Sequence, residues 1–221
     1  MTPFAEIEAA ARQRLGVEAL AQRLPAVKSA MELKAVPDDR YFSLMALRIF
    51  RAGLKHSVVD AKWPAFEEAF HGFDPRRVRA MSDEEVEGLL KNTSLIRHFG
   101  KLRATHANAA ALMAISEEKG GFGDWLAGWP AGKTIALWDD LGKRFQQLGG
   151  NSGPSFLRMA GKDTFMISDW VVKGLNRWGA FEGTPRGKGD RAKVEAIFNA
   201  WAEETGYSLS RLSMTLAASV D

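Results

Sequence analysis

Residues 148–172 read LGGNSGPSFLRMAGKDTFMISDWVV: a glycine-rich break, a short apolar stretch, and then one carboxylate, Asp169, inside an otherwise apolar run. The amphipathic segment TIALWDDLGKRFQQL leads into the break at 134–148. GGNSG at 149–153 supplies residues able to adopt positive φ, and Pro154 suits the first turn of a following helix. The segment reads either as a helix-hairpin-helix or as an ordinary turn between two helices. The first reading carries chemistry. Glycine peptides let an anion approach, and the N–H groups that open the second helix have no intrahelical acceptor. Gly150, Ser152, Gly153 and Ser155 are the residues placed to hold a DNA phosphate, and contacts through main-chain amides read backbone and not sequence. Ser168-Asp169 precedes WVVKGLNRWG, which makes Asp169 an N-cap, a fixed anion at the positive end of a helix facing a developing cation, or both.

Working outward, apolar residues recur at helical spacing almost everywhere, and period-two runs of Val, Ile and Thr are missing, so the chain is expected to be all-α. Asp74-Pro75 marks one helix start, Ser82 with Glu85 fits a capping box, and Ser208 caps the last helix. The spacing predicts helices over 4–23 with a break at Gly16, 39–53, 56–71, 75–80, 83–91, 100–118, 122–127, 133–148, 154–161, 169–178, 191–205 and 208–219. Short helices punctuated by glycine suit two helical lobes with a cleft between them. A lobe containing 40–118, the hairpin and Asp169 region at 133–180, and C-terminal helices at 191–219 are expected within one domain over 1–221.

Composition narrows the function. The chain has 221 residues, 46% hydrophobic and 26% charged, which fits a globular protein with a substantial core. Seven Trp and thirteen Phe are expected mostly in that core. The formal net charge is only +3, but from Leu141 to Asp190 the basic residues Lys143, Arg144, Arg158, Lys162, Lys173, Arg177, Arg186 and Lys188 outnumber Asp163, Asp169, Glu182 and Asp190. The positive surplus thus gathers around the hairpin. Without cysteine there is no disulfide, thiolate nucleophile or Cys-based zinc site. The N-terminal residues alternate charge with apolar side chains, so neither a signal peptide nor a membrane span is expected, and a cytoplasmic location is.

Other motifs carry less. GWPAGKT at 128–134 has three residues between its glycines where a phosphate-binding P-loop has four, and no strand precedes it. Asn92-Thr93-Ser94 matches a glycosylation sequon, although Thr93 or Ser94 as a helix cap accounts for it better. His56, His71, His98 and His106 form no metal-binding spacing, so no metal and no cofactor are expected.

The order of hairpin, short helix and Asp before VVKGLNRWG resembles the helix-hairpin-helix DNA glycosylases of the endonuclease III superfamily. RAGL at 51–54 with AFEEAFHGFDPRRVRAMSDEEVEGLLKNTSLIRHFGKLRATHANAAAL at 65–112 resembles 3-methyladenine DNA glycosylase I. That resemblance implies a two-lobed fold whose cleft receives a damaged nucleotide flipped out of double-stranded DNA. It gives Asp169 the role of stabilising an oxocarbenium-like sugar and orienting or deprotonating the attacking water. Bifunctional members place a lysine nucleophile just after the hairpin glycine. Ser155 stands here in GPSF, which implies a monofunctional enzyme without a lyase step.

Two positions depart from the family. Arg48, in ALRIFRAGL, stands where glycosylase I enzymes carry the carboxylate that reads the methylated adenine, and His56, in AGLKH, replaces an aromatic residue. Arg48 is either a solvated helix residue paired with an acid or a pocket residue that donates to purine O6 or N7 or holds a phosphate. His56 either stacks on or hydrogen-bonds a flipped base, or packs in the interior. The expected activity is excision of alkylated or otherwise damaged purines by a monomer. The alternatives are a non-catalytic helix-hairpin-helix DNA-binding protein with a degenerate base pocket, and a helical interaction protein with no nucleic-acid partner.

Overall fold

The computed structural model describes residues 2–221 and is all-α among them. In chain order the helices are α1 (Phe4–Leu15), α2 (Val17–Arg23), α3 (Ala30–Lys34), α4 (Asp38–Arg51), α5 (His56–Ala69), α6 (Pro75–Arg79) and α7 (Asp83–Gly88). They continue as α8 (Phe99–Lys119), α9 (Phe122–Gly128), α10 (Thr134–Arg144), α11 (Ser152–Ala160), α12 (Asp169–Arg177), α13 (Gly187–Thr205) and α14 (Leu209–Ala218). None is long and apolar enough to cross a membrane.

The chain divides into two compact units. One contains residues 1–28, 130–137 and 161–221; the other contains 29–129 and 138–160.

The larger unit is organised around α4 and α8. Phe42, Met45, Ile49 and Phe50 of α4 and Leu102, Leu112 and Ile115 of α8 are buried. Phe50 and Phe66 pack 4.4 Å apart, and Trp63 stacks on Phe73 at 5.3 Å, so the aromatic excess of the sequence is largely core. The fully buried Phe50, Phe66 and Phe73 each contribute roughly 1.5–3 kcal/mol through burial. Trp63 Nε1 donates to Ser43 Oγ at 3.1 Å, and Ser43 in turn donates to Glu67, which satisfies the polar edge of the cluster. Asp38 accepts the backbone N–H of Phe122 at 2.9 Å and thereby seats the start of α9.

The second unit contains both the first and the last helix of the chain. Phe4, Ile7, Phe198, Trp201, Leu212 and Leu216 are fully buried in it. Phe165 lies face to face on Phe198 at 4.6 Å. Glu204 accepts the Phe4 N–H at 2.9 Å, and Glu8 pairs with Arg211 at 3.0 Å and with Arg12 at 3.1 Å. Burial pushes the Glu8 carboxyl up, but the two guanidinium groups outweigh it and hold the group below its ordinary value.

Most expected helix starts are present. Ser82 and Glu85 form a reciprocal capping box, Asp74 accepts the Arg76 N–H ahead of Pro75, and Ser208 accepts the Arg211 N–H. Several segments differ from expectation. α3 was not expected, although Ser29 and Glu32 form a full capping box at its start; it spans five residues, too few for periodicity to register. α13 begins at Gly187, four residues early, because Asp190 accepts the Arg186 N–H at 2.9 Å and draws both glycines into the first turn. Neither Thr93 nor Ser94 caps a helix. The Asn92 side chain accepts the Ser94 N–H at 2.9 Å in a local turn, and His98 caps α8.

Candidate functional residues: the hairpin, Asp169 and Arg48

The hairpin occupies 145–151 between α10 and α11. α10 stops at Arg144 and not at Leu148, because the amide of buried Asn108 takes over the backbone of Gln146. Asn108 Oδ1 accepts the Gln146 N–H at 2.7 Å, and its Nδ2 donates to the Gln146 carbonyl at 3.0 Å. Gln147 follows in the left-handed region at φ 62°, with its side chain donating to the Gly100 carbonyl at 2.9 Å. Leu148 then plugs the core.

The hairpin glycines serve different ends. Gly150, exposed at the tip, has φ 56°, a conformation that disfavours any residue with a Cβ. Gly153 is buried, and a Cβ there would lie 2.9 Å from the Leu148 carbonyl oxygen, so it is glycine for close helix packing. Among the described residues from Gly149 to Gly153, only Ser152 N–H finds a backbone acceptor, the Gly149 carbonyl at 3.2 Å. Ser155 is engaged locally, its Oγ donating to the Asn151 carbonyl at 2.7 Å. The hairpin therefore offers main-chain donors at Gly149, Gly150, Asn151 and Gly153, which is the chemistry of an anion site.

Asp169 belongs to the other unit and is described there. Ser168, not Asp169, is the N-cap of α12, accepting the Val171 N–H at 3.3 Å. Asp169 occupies the first helical position with an exposed carboxylate to which no described residue donates. The helix dipole favours an anion there without consuming its lone pairs. The loop before it is fixed from α14. Asp163 accepts the N–H groups of Leu209 and Ser210, both at 2.9 Å, and Ser210 Oγ donates to the Thr164 carbonyl at 3.0 Å. α12 itself is seated by Gly174, where a Cβ would meet Leu216 side-chain atoms at 2.7 and 2.8 Å. Beside Asp169, Trp170 is 49% exposed, with Lys173 Nζ 4.3 Å from its ring centroid.

Arg48 lies in the last turn of α4 and is half-buried; its Nε is shut from solvent without an acceptor. The acid partner that would make it an ordinary surface arginine is missing among the described residues. Burial and the neighbouring Arg51 charge lower its affinity for a proton. Lys101 of α8 is buried nearby, its Nζ donating to the carbonyls of Phe50 at 3.2 Å and Ala52 at 2.6 Å, the open C-terminal end of α4. Burial, and then the Arg48 charge, push the Lys101 pKa down. His56 is exposed at the first position of α5 and does not pack in the interior.

Sequence reasoning passed over Asn108, Lys101, Asp163 and Trp170. The first two sit in the family-like middle of the chain, but a lone Asn or Lys on a helix has no signature of its own. Asp163 had one, a carboxylate after Gly161 in a loop, with a partner helix 46 positions away in sequence.

The comparisons with known proteins divide along the same line. A family model described as methyladenine glycosylase matches residues 33–144, a stretch that includes Arg48, His56, Lys101 and Asn108 and ends before the hairpin tip. A DNA-3-methyladenine glycosylase of Haemophilus influenzae is 33% identical over 88 residues, 40% of this chain and 48% of that protein. The chain spans about half the length of the curated relatives it matches. Among solved structures, a 3-methyladenine DNA glycosylase I is 31% identical with a TM-score of 0.51, over 65% of this chain and 86% of that one. The 8-oxoguanine DNA glycosylase of Methanocaldococcus jannaschii covers 95% of this chain and 89% of its own with a TM-score of 0.54, a likeness of fold alone at 18% identity. With the matched segment taking in half of its residues and the helical architecture that surrounds them, the chain belongs to the methyladenine glycosylase family.

Proposed function

We propose that this protein is a monofunctional DNA N-glycosylase that removes an alkylated or otherwise damaged purine flipped out of double-stranded DNA. The observation that carries the reading is Asp169: an exposed, unpartnered carboxylate at the first position of α12, held by a loop that Asp163 and Ser210 tie to α14. Family membership supports the same reading. Hydrolysis breaks the bond between the purine and C1′, leaving positive charge on the sugar. Asp169 stabilises that charge and orients or deprotonates the water that adds at C1′. The unpaired amides around Gly150 and Gly153 grip a backbone phosphate, with Ser152 and Ser155 at its edge. Exposed Trp170 with Lys173 adds an aromatic and a cationic contact beside the carboxylate. With Ser155 in place of an amine nucleophile, no imine to the sugar forms and the strand is not cut.

The test is base release from randomly methylated and deaminated duplex DNA, identified by mass spectrometry. The parent should release purines, and Asp169→Asn should lower release at least about a hundredfold while still binding DNA. Release undiminished in that variant removes Asp169 from the mechanism. DNA binding without release from any lesion leaves a binding module instead.

A further inference from the structure

The last turn of α4 gathers three cations. Arg51 closes on Asp60, its Nη2 2.7 Å from Oδ1. Lys101 is satisfied by the Phe50 and Ala52 carbonyls. Arg48 is left over. It is half-buried, its Nε is sealed from water with no acceptor, and no described residue accepts from its other two nitrogens. The charges that bear on it, Arg51 and Lys101, carry its own sign. A guanidinium in this state asks for a ligand that brings two acceptors in a plane and no positive charge.

We infer that Arg48 reads the base, and that the base it selects is a neutral oxopurine presenting O6 and N7, in place of a cationic N-alkylpurine. This rests on the proposed glycosylase reading only in that the purine arrives on a flipped nucleotide. The planar fork of Arg48 spans the O6 and N7 acceptors, the edge that distinguishes guanine-like from adenine-like purines. A purine alkylated to a cation would place a third like charge beside Arg48 and Lys101, neither of which is paired with a carboxylate among the described residues. The same residue bears on bond cleavage. A neutral purine leaves with the electron pair of the N9–C1′ bond, and the negative charge spreads to O6 and N7, where Arg48 donates. The water adding at C1′ supplies the proton that the released purine finally carries. A backbone phosphate is the other acceptor-rich group that DNA offers, and it would satisfy Arg48 without discriminating between bases.

The test uses the full chain and two probes that need no hydrolysis, 9-methylguanine and the permanent cation 3,9-dimethyladeninium, titrated by NMR. The parent should bind the oxopurine about tenfold more tightly than the cation, and Arg48→Met should lose about that factor for the oxopurine alone. Arg48→Glu should reverse the order; if it fails to fold, Arg48→Met decides. Equal binding of the two probes by the parent, or oxopurine binding unmoved in Arg48→Met, overturns the assignment. So does a uniform loss of affinity of that variant for damaged and undamaged duplexes with a shallower salt dependence, which marks a phosphate contact. Absence of base release from every duplex, with the purine preference intact, counts against hydrolysis and not against this role of Arg48.

Discussion

Asn108 and Gln146 exchange two hydrogen bonds, 2.7 Å from the Gln146 N–H to Oδ1 and 3.0 Å from Nδ2 to the Gln146 carbonyl, across 38 positions of sequence. A primary amide is the one side chain that can mimic a backbone partner in both directions, so a single residue of α8 ends α10 and opens the hairpin.

Replacing that amide should loosen the hairpin from both sides. Asn108→Ala leaves a buried donor and acceptor unmet and is expected to cost about 1–3 kcal/mol in chemical denaturation. Asn108→Asp keeps the acceptor but turns a carboxylate toward the Gln146 carbonyl, and should be at least as damaging.

The hairpin glycines should separate in a substitution series. Gly150→Ala forces φ 56° on a residue with a Cβ and should lose about 1–2 kcal/mol. Gly153→Ala drives a methyl to 2.9 Å from the Leu148 carbonyl and should lose about 1–3 kcal/mol. Gly149→Ala meets nothing within 4 Å and should stay within about 0.5 kcal/mol of the parent. Thermal unfolding of the three variants reads this order directly, and equal losses would show that the turn is not what these glycines are for.

Asp163 is expected to act as a positioning residue for Asp169. Asp163→Ala removes both capping bonds to α14 and should cost about 1–2 kcal/mol. Because the same loop carries Asp169, the rate of base release at saturating DNA should fall while DNA affinity is retained. Asp163→Asn, which keeps one acceptor, should recover part of the rate. A loss of stability with an unchanged rate would confine Asp163 to holding the fold.

The Glu8 pair predicts an acid-side dependence. Its folded pKa lies below the ordinary glutamate value of about 4.3, so in that interval the unfolded chain binds the extra proton and stability rises with pH. The contribution is present above about 4.3 and disappears as pH falls through the folded value. Glu8→Gln should therefore flatten the acid limb of a plot of denaturation midpoint against pH and leave its slope near neutrality unchanged.

The helical architecture was legible because its signals are local: capping boxes at Ser82, a proline at the first turn of α6, glycines after α1 and α8. The turn at 149–151 and the helix start at Ser168-Asp169 were legible for the same reason, lying within 25 residues of one another in sequence. The long-range tethers were not. Nothing around Asn108 announces that it holds Gln146, and Lys101 reads as one more helix lysine until the carbonyls of Phe50 and Ala52 stand over it. Arg48 was visible as a departure from its family, but its lack of a partner among the described residues is a property of three-dimensional surroundings that periodicity and spacing do not encode.

The unit that carries Asp169 is stitched from three separate stretches, with Phe4 hydrogen-bonded to Glu204 across 200 positions. On a ribosome, the first helix must therefore wait, its apolar face bare, until the chain has emerged at least as far as Glu204. Contacts of such sequence separation form late and slowly. The unit built on α4 and α8 draws on a nearly continuous stretch and has no such delay, so a stalled or truncated nascent chain would present a finished hairpin while the unit that carries Asp169 is still unassembled.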